Sequence, residues 1–321
     1  MKNTTSDIKH AASLLKSGEL VAFPTETVYG LGGNALSDDA VAEIYAVKER
    51  PQFNPLIVHV RSIEDANHHA HCNTTARMLA HHFWPGPLTL VLLRRPECEL
   101  SYLVSAGMDT VAVRVPAHPM AQALLHEAGI PIAAPSANRS GRISPTEASH
   151  VQEELGGRLA MILDGGPCHV GIESTVVDVT GETPIILRPG SISAKQIGDV
   201  LHCKIPLLPN LSSSSMRSPG QLASHYAPSH PVRLNATHAA ADEALLAFGE
   251  HVPTGAAYTL NISKHGNLQE AAANLFRMLR ALDTKDVRCI AVMPIPEDAD
   301  THALGIAIND RLKRAATPDT I

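Results

Sequence analysis

The chain is short of the features that would assign it quickly. Its five cysteines, Cys72, Cys98, Cys168, Cys203 and Cys289, are odd in number and scattered, which suits neither a disulfide framework nor a paired-cysteine zinc site. No apolar run approaches the roughly 20 residues that cross a bilayer. The opening MKNTTSDIKH lacks the apolar core of a signal peptide, so the cytoplasm is the expected compartment. Charged residues make up only 18%, and 26 basic against 32 acidic side chains leave a net charge of −6, the wrong sign for a protein held to nucleic acid by its overall field. There is no G-x-x-x-x-G-K-[ST] loop. GLGGNA, from Gly30 to Ala35, has the letters of a dinucleotide fingerprint, but Thr25 to Tyr29 separate it from the preceding strand. PSANRSG, around Ser136, is not a nucleophile elbow. NHHAHC, from Asn67 to Cys72, has irregular ligand spacing and reads as a solvated helix end, so no protein metal site is expected.

What is present is length and alternation. The 321 residues suffice for two cores. Helical and strand periodicities alternate from Ile8 onward: a helix over Asp38 to Lys48, strands at PLIVHV, LTLVLLR and TVAVRVP, a helix at PMAQALLHEAG, and short strands at PIAAP, AMILDGG, STVVDVT and PIILRPG. This predicts an α/β domain with a mixed sheet over 1–205. A proline- and serine-rich stretch over 206–230 reads as a linker. Over 231–321 a smaller α/β unit is expected, with strands at PVRLN, GAAYTL and VRCIAVMPI and helices at ATHAAADEALLAFGE, NLQEAAANLFRMLRALD and ALGIAINDRLKRAA.

Polar residues collect where strands end. Alternation puts Ile57 and His59 on one strand face, and Thr110, Ala112 and Arg114 on one face of another. An arginine inside an apolar strand is a structural ion pair or an anion site, and spacing does not decide which. Ser136, Asn138, Arg188, Thr25, Glu26 and Thr27 stand at further strand ends, and Ser174 lies in the turn GIEST. Ligands of open α/β sheets bind outside such ends, and hydroxyls with arginines suit an oxygen-rich, multiply charged ligand. Lys48 and Arg50 in KERPQFNPLIVH read as a polyanion site on a loop stiffened by Pro51 and Pro55.

VAFPTETVYGLG, KERPQFNPLIVH, WPGPLTLVL, VAVRVP, PIAAPSANRSG, GIESTVVDV and ILRPG follow one another in the order found in the YrdC-like domain of the L-threonylcarbamoyladenylate synthases, which the chain closely resembles over about Ser6 to Ile205. SPGQLASHYAP resembles the linker of the long, two-domain form. The resemblance implies a YrdC-like twisted, mixed open sheet with a Rossmann-like second domain. It implies that L-threonine, bicarbonate or CO2, and ATP give threonylcarbamoyl-AMP and pyrophosphate, the first step of N6-threonylcarbamoyladenosine formation in tRNA. It assigns Lys48, Arg50, Ser136 and Asn138 to catalysis. ATP would be bound by these with Asn54, Thr110, Ser144, Arg188, His225 and Tyr226, and threonine by Thr27, His59, Arg114, Ala134 and Ser174. Mg2+ would arrive with ATP. Threonylcarbamoyl-transferase proteins acting on tRNA are expected partners, with at most a weak contact to tRNA itself and none to a membrane. His225 and Tyr226 are expected in a lid over the nucleotide, or else as aromatics that only dock the second domain. Two other readings stay open: an RNA-binding module without turnover, and a carbamoyl-adenylating maturation factor.

Overall fold

A computed structural model describes residues 4–207, 225–297 and 303–317. The first sheet has nine strands: β1 (Val21–Phe23), β2 (Gly30–Asn34), β3 (Ile57–His59), β4 (Leu88–Leu93), β5 (Thr110–Arg114), β6 (Ile132–Ala133), β7 (Met161–Ile162), β8 (Thr175–Asp178) and β9 (Ile185–Arg188). Their spatial order is β7-β1-β2-β6-β3-β5-β4-β8-β9, with parallel and antiparallel pairs mixed. The helices here are α1 (Thr5–Lys16), α2 (Asp38–Lys48), α3 (Ile63–His69), α4 (Thr74–Phe83), α5 (Pro119–Ala128), α6 (Ala148–Leu155) and α7 (Ala194–Leu201).

Register decides which residues share a face. His59 stands opposite Ile132 on one side and Arg114 on the other, Ala112 opposite Val91, and Val176 opposite Arg188. These side chains all point to one face of the sheet. At the β1–β6 end, α1 and α5 cover that face, packing Leu15, Leu124 and Leu125 against Val21, Phe23 and Ile132. Beyond them it continues as a small apolar strip of Ile57, Val91, Ala112, Val176 and Leu187. The opposite face, with Val58, Val113, Leu90 and Val177, forms the main core with residues of α2, α4 and α7. The cleft described below lies on the first face, where the helical cover stops.

One segment left unassigned by the sequence and one sequence expectation are settled here. GLGGN is strand β2, antiparallel to β1 and β6. Its glycines answer crowding: a Cβ on Gly32 would come within 2.8 Å of the Phe23 ring, and one on Gly33 within 3.0 Å of Ile44 and Leu20. The expected helix ATHAAADEALLAFGE is not formed. Its centre is strand β11 (Glu243–Ala247), buried at all five positions, because the pentapeptide lies inside a second sheet where tertiary burial overrides the helix propensity of Ala, Leu and Glu.

That second sheet is wholly parallel, in the order β10 (Val232–Arg233), β13 (Cys289–Val292), β11, β12 (Tyr258–Asn261). It packs with α8 (Leu268–Asp283), whose Leu275, Phe276 and Leu279 enter the same core as Leu246, Ile290 and Val292. The last helix, α9 (Ala303–Ala315), contributes Ile308 and Leu312 to that core. Val28, Ile143, Ile172 and Tyr226 join it too, so the two sheets share an apolar seam.

Candidate active site

The cleft is walled by Thr25, Thr27, Val28 and Gly30 after β1, by Arg50, by Ile57 and His59 of β3, and by Arg114 of β5. Ala134, Pro135 and Ser136 follow β6, Glu173 and Ser174 precede β8, and Arg188 ends β9. His225 and Tyr226 close it from the described end of the linker.

At one end the Arg114 guanidinium is fixed on three sides. Its Nη2 donates to Glu26 Oε1 at 2.5 Å, Nη1 to Thr27 Oγ1 at 2.9 Å and Nε to the Gly86 carbonyl at 3.2 Å. Burial pushes the Glu26 carboxyl upward, but the charge and hydrogen bond of Arg114 outweigh it and hold that carboxyl below its ordinary value. Arg114 is thus an ion pair and a cleft wall at once, with two of its five N–H groups left over by these three bonds. Beside it, burial and the neighbouring arginine push His59 down to about 3, so its ring is neutral near pH 7. Its edge meets Phe23, with centroids 6.0 Å apart.

The other end is cationic. Arg50 is oriented by its own loop, Nε to the Asn54 carbonyl at 3.1 Å and Nη2 to the Pro55 carbonyl at 2.8 Å. Burial draws it down to about 10. Arg188 donates from Nε to the Ser174 carbonyl and from Nη2 to Ser174 Oγ, both at 3.1 Å, and Ser174 Oγ lies 2.7 Å from Thr89 Oγ1.

Lys48 departs from the expectation that it faces a polyanion beside Arg50. It is buried outside the cleft wall, and its ammonium donates to the carbonyls of Ser136, at 2.6 Å, and Asn138. Burial, and then repulsion from Arg50, draw its pKa well below the ordinary value. The carbonyls of the S-x-N turn point back at Lys48, so its effect on the cleft passes through that turn. Asn138 likewise spends its amide on the turn, donating to the Arg139 and Arg142 carbonyls. Ser144 also stands behind the wall and donates to Glu173 Oε1 at 2.5 Å. Thr110 begins β5, on the same face as Arg114 but four residues away, roughly 13 Å along the strand. Asn54 is fully buried under the Arg50 loop.

One regularity marks the region. Among the described residues nine buried side-chain polar atoms lack a hydrogen-bond partner, and five of them belong to Asn54 (both amide atoms), His59, Asn138 and His225. Such atoms are costly unless something else satisfies them, and here they collect around one cleft. No group of three or more His, Cys, Asp or Glu able to hold a metal occurs among the described residues.

Sequence reasoning missed Glu173 and its partner. Glu173 sits in the quoted GIEST turn, and its Oε2 accepts from Arg311 Nε of α9 at 2.9 Å. A contact spanning 138 positions leaves no trace in local spacing. Tyr226 ties the same two units: its ring stacks on Phe276 at 5.4 Å, lies 5.5 Å below the Arg311 guanidinium, and meets His225 at 4.0 Å. Its φ of +64° is unusual for a bulky residue, and the Ala227 amide pins it by donating to the Gly141 carbonyl. The pair therefore both docks the second unit and lines the cleft, so its rings are not docking groups alone. The linker over 208–224, with Pro219 and Gly220, lies outside the described residues.

A mixed α/β sheet with a cationic, hydroxyl-lined cleft at its strand ends, closed by a segment leading to a second parallel sheet, defines a two-domain YrdC-type protein. Residues 13–190 match the Sua5_yciO_yrdC family, described as telomere recombination, and residues 192–317 match the threonylcarbamoyl-AMP synthase C-terminal domain. The chain belongs to the threonylcarbamoyl-AMP synthase family. It is 42% identical to threonylcarbamoyl-AMP synthase of Bacillus subtilis, over 96% of this chain and 92% of the relative. The structure of Pyrococcus abyssi Sua5 complexed with L-threonine superposes with a TM-score of 0.90 at 37% identity, covering 98% of this chain and 96% of that one. A P. abyssi Sua5 variant with an adjacent histidine and tyrosine changed to alanine superposes at 0.88, with 36% identity and 98% and 93% coverage. No helix among the described residues is long and apolar enough to cross a membrane.

Proposed function

We propose that the chain is a nucleotidyltransferase that joins L-threonine, bicarbonate or CO2, and ATP into threonylcarbamoyl-AMP with release of pyrophosphate. The observation that carries this reading is the division of one cleft into a neutral imidazole beside a held guanidinium at one end and a pair of arginines at the other. Threonine binds at the first end. Its carboxylate takes the remaining donors of Arg114, and the uncharged His59 accepts from the amine without repelling it. The amine adds to the carbon of CO2, losing a proton, and gives a carbamate. A carbamate oxygen then attacks the α-phosphorus of ATP, the bond to the β-phosphate breaks, and pyrophosphate leaves. No side-chain nucleophile is required, so the residues work by alignment and charge.

The nucleotide lies along the sheet face from Arg50, on the loop that buries Asn54, and Arg188, over Ile57 and Ala112, toward Thr110. Lys48 holds the turn carrying Ser136 and Asn138 against it. Glu173 is the carboxylate among the residues named in the wall, and both its oxygens already accept hydrogen bonds, so the magnesium ion belongs to the substrate MgATP, carried by phosphate oxygens. His225 and Tyr226 close the cleft over the bound nucleotide. The product passes in the cytoplasm to proteins that transfer the threonylcarbamoyl group to tRNA. The decisive test incubates the protein with MgATP, bicarbonate and labelled threonine. Threonine-dependent threonylcarbamoyl-AMP and equimolar pyrophosphate are expected, and ATP turnover without a threonine-containing product overturns the reading.

A further inference from the structure

Glu173 is an unlikely residue to find in the wall of a site that takes a polyphosphate. Its carboxylate faces the same cleft as Arg50 and Arg188, and an uncompensated negative charge there would repel a triphosphate at short range through a medium that screens poorly. Ser144 supplies a hydrogen bond but no charge. The direct ion-pair partner comes from the other domain: the Arg311 side chain is 0% exposed and reaches Glu173 at 2.9 Å. Asp310 fixes the guanidinium from behind, accepting from Nη1 at 2.8 Å. The face of the same guanidinium lies over the Tyr226 ring, so one side chain touches two different residues of the wall.

The alternative is an interdomain ion pair that only holds the two units together. Other contacts already serve that end, including Arg280 with Glu154 and the Ile143 carbonyl, and the apolar seam around Tyr226 and Phe276. Glu154, the acidic partner named among them, does not line the cleft. Glu173 does, and burial would push its carboxyl up were it not held below its ordinary value by Arg311 and then Arg188.

We propose that Arg311 is a positioning residue for the adenylation site, acting through Glu173 and Tyr226, so that the C-terminal domain offsets the negative charge that otherwise subtracts from Arg50 and Arg188 at the nucleotide end of the cleft. The proposal rests on the function given above and adds a role for the second domain. It separates ATP from threonine, because Glu173 stands with the arginines at the nucleotide end and Arg114 with His59 at the other.

The test measures binding of labelled ATP and labelled threonine separately by equilibrium dialysis on the full chain, so it reads out even if no threonylcarbamoyl-AMP is formed. Failure of the product assay would then strike the proposed function, and failure here would strike only this inference. Arg311→Met is expected to weaken ATP binding about 10-fold, the usual scale of coupling between sites, with threonine binding within about 2-fold of the parent. Adding Glu173→Gln to it removes the charge that Arg311 compensates and should restore ATP binding to within about 3-fold. Lys313→Ala, on the exposed side of the same helix, should behave as the parent. If Arg311→Met does not fold, Glu173→Gln alone decides, since it removes the negative charge from the cleft wall while Arg311 keeps Asp310, and it should tighten ATP binding. Equal losses for both ligands, no rescue in the double variant, or ATP binding in Glu173→Gln that stays level or weakens would overturn the proposal.

Discussion

His59 and Arg114 are register partners on adjacent parallel strands, so an imidazole and a guanidinium stand side by side at one end of the cleft. Two strands thereby set both groups side by side, and burial, with the guanidinium adding to it, keeps the imidazole neutral. Removing the guanidinium exposes what it was doing. Arg114→Ala should raise the threonine KM about 10²-fold, the scale of losing one partner of a buried charged pair, while the ATP KM changes far less. Because Glu26 is left buried and unpaired, the variant should also lose stability, and Arg114→Ala/Glu26→Gln should regain stability without regaining threonine affinity. Equal changes in both KM values count against the assignment.

The buried histidines set a pH response. His59 and His225 are drawn down to about 3 and His150 to about 4, against about 6.5 in an unfolded chain. The unfolded state therefore binds more protons than the folded one between those limits. Stability is complete above about pH 6.5 and falls as pH drops toward 4, at up to about 1.4 kcal/mol per pH unit for each such histidine. Glu26 and Glu173, held below their ordinary values, add losses only at lower pH. Urea midpoints measured from pH 7 to 4.5 should decline, and His59→Gln should flatten the decline. A midpoint independent of pH in that window contradicts the neutral-imidazole picture.

Arg50 and Lys48 should respond differently to substitution although they lie two residues apart. Arg50→Ala should lose about 10²-fold in kcat/KM for ATP, the scale of one transition-state donor. Arg50→Lys should recover little, since an ammonium cannot both hold the Asn54 and Pro55 carbonyls and present a fork to the cleft. Lys48→Met, which empties the space beneath the S-x-N turn of its charge, should lower kcat together with the melting temperature, because two backbone carbonyls lose their donor. Identical profiles for the two positions would mean that Lys48 meets substrate directly.

His225→Ala/Tyr226→Ala should loosen the coupling of ATP use to product, because these rings close the cleft and water then reaches the carbamate and the mixed anhydride. The quantity to follow is ATP consumed per threonylcarbamoyl-AMP formed. It should rise in the double variant and in a chain ended after Ile205, while a folded variant with the parent's ratio and rate would leave the segment as a tether.

The alternation of elements and the strand-end polar residues were legible in the sequence because both depend on short periods. Ile57, His59, Ala112 and Arg114 fall on one face by simple alternation, and the structure keeps them there. What escaped was set by distance. GLGGN gave no strand signal because its glycines are selected by the Phe23 ring and by Leu20 and Ile44, not by backbone propensity. EALLA carried a helix signal that only a second sheet could overrule. Lys48 looked like a companion of Arg50, and nothing local says that its reach ends at carbonyls almost ninety residues on.

The bond from Glu173 to Arg311 also bears on how the molecule is made. Synthesis proceeds from the N-terminus and domains tend to fold as they emerge, so the nine-stranded sheet can assemble while α9 is still being added. At that stage the carboxylate of Glu173 has Ser144 but no cation from the second domain, and the Tyr226 ring lacks the Arg311 guanidinium beside it. On the role proposed for Arg311, a nascent chain is poorly suited to capturing nucleotide, and competence arrives with the helix synthesised after both sheets.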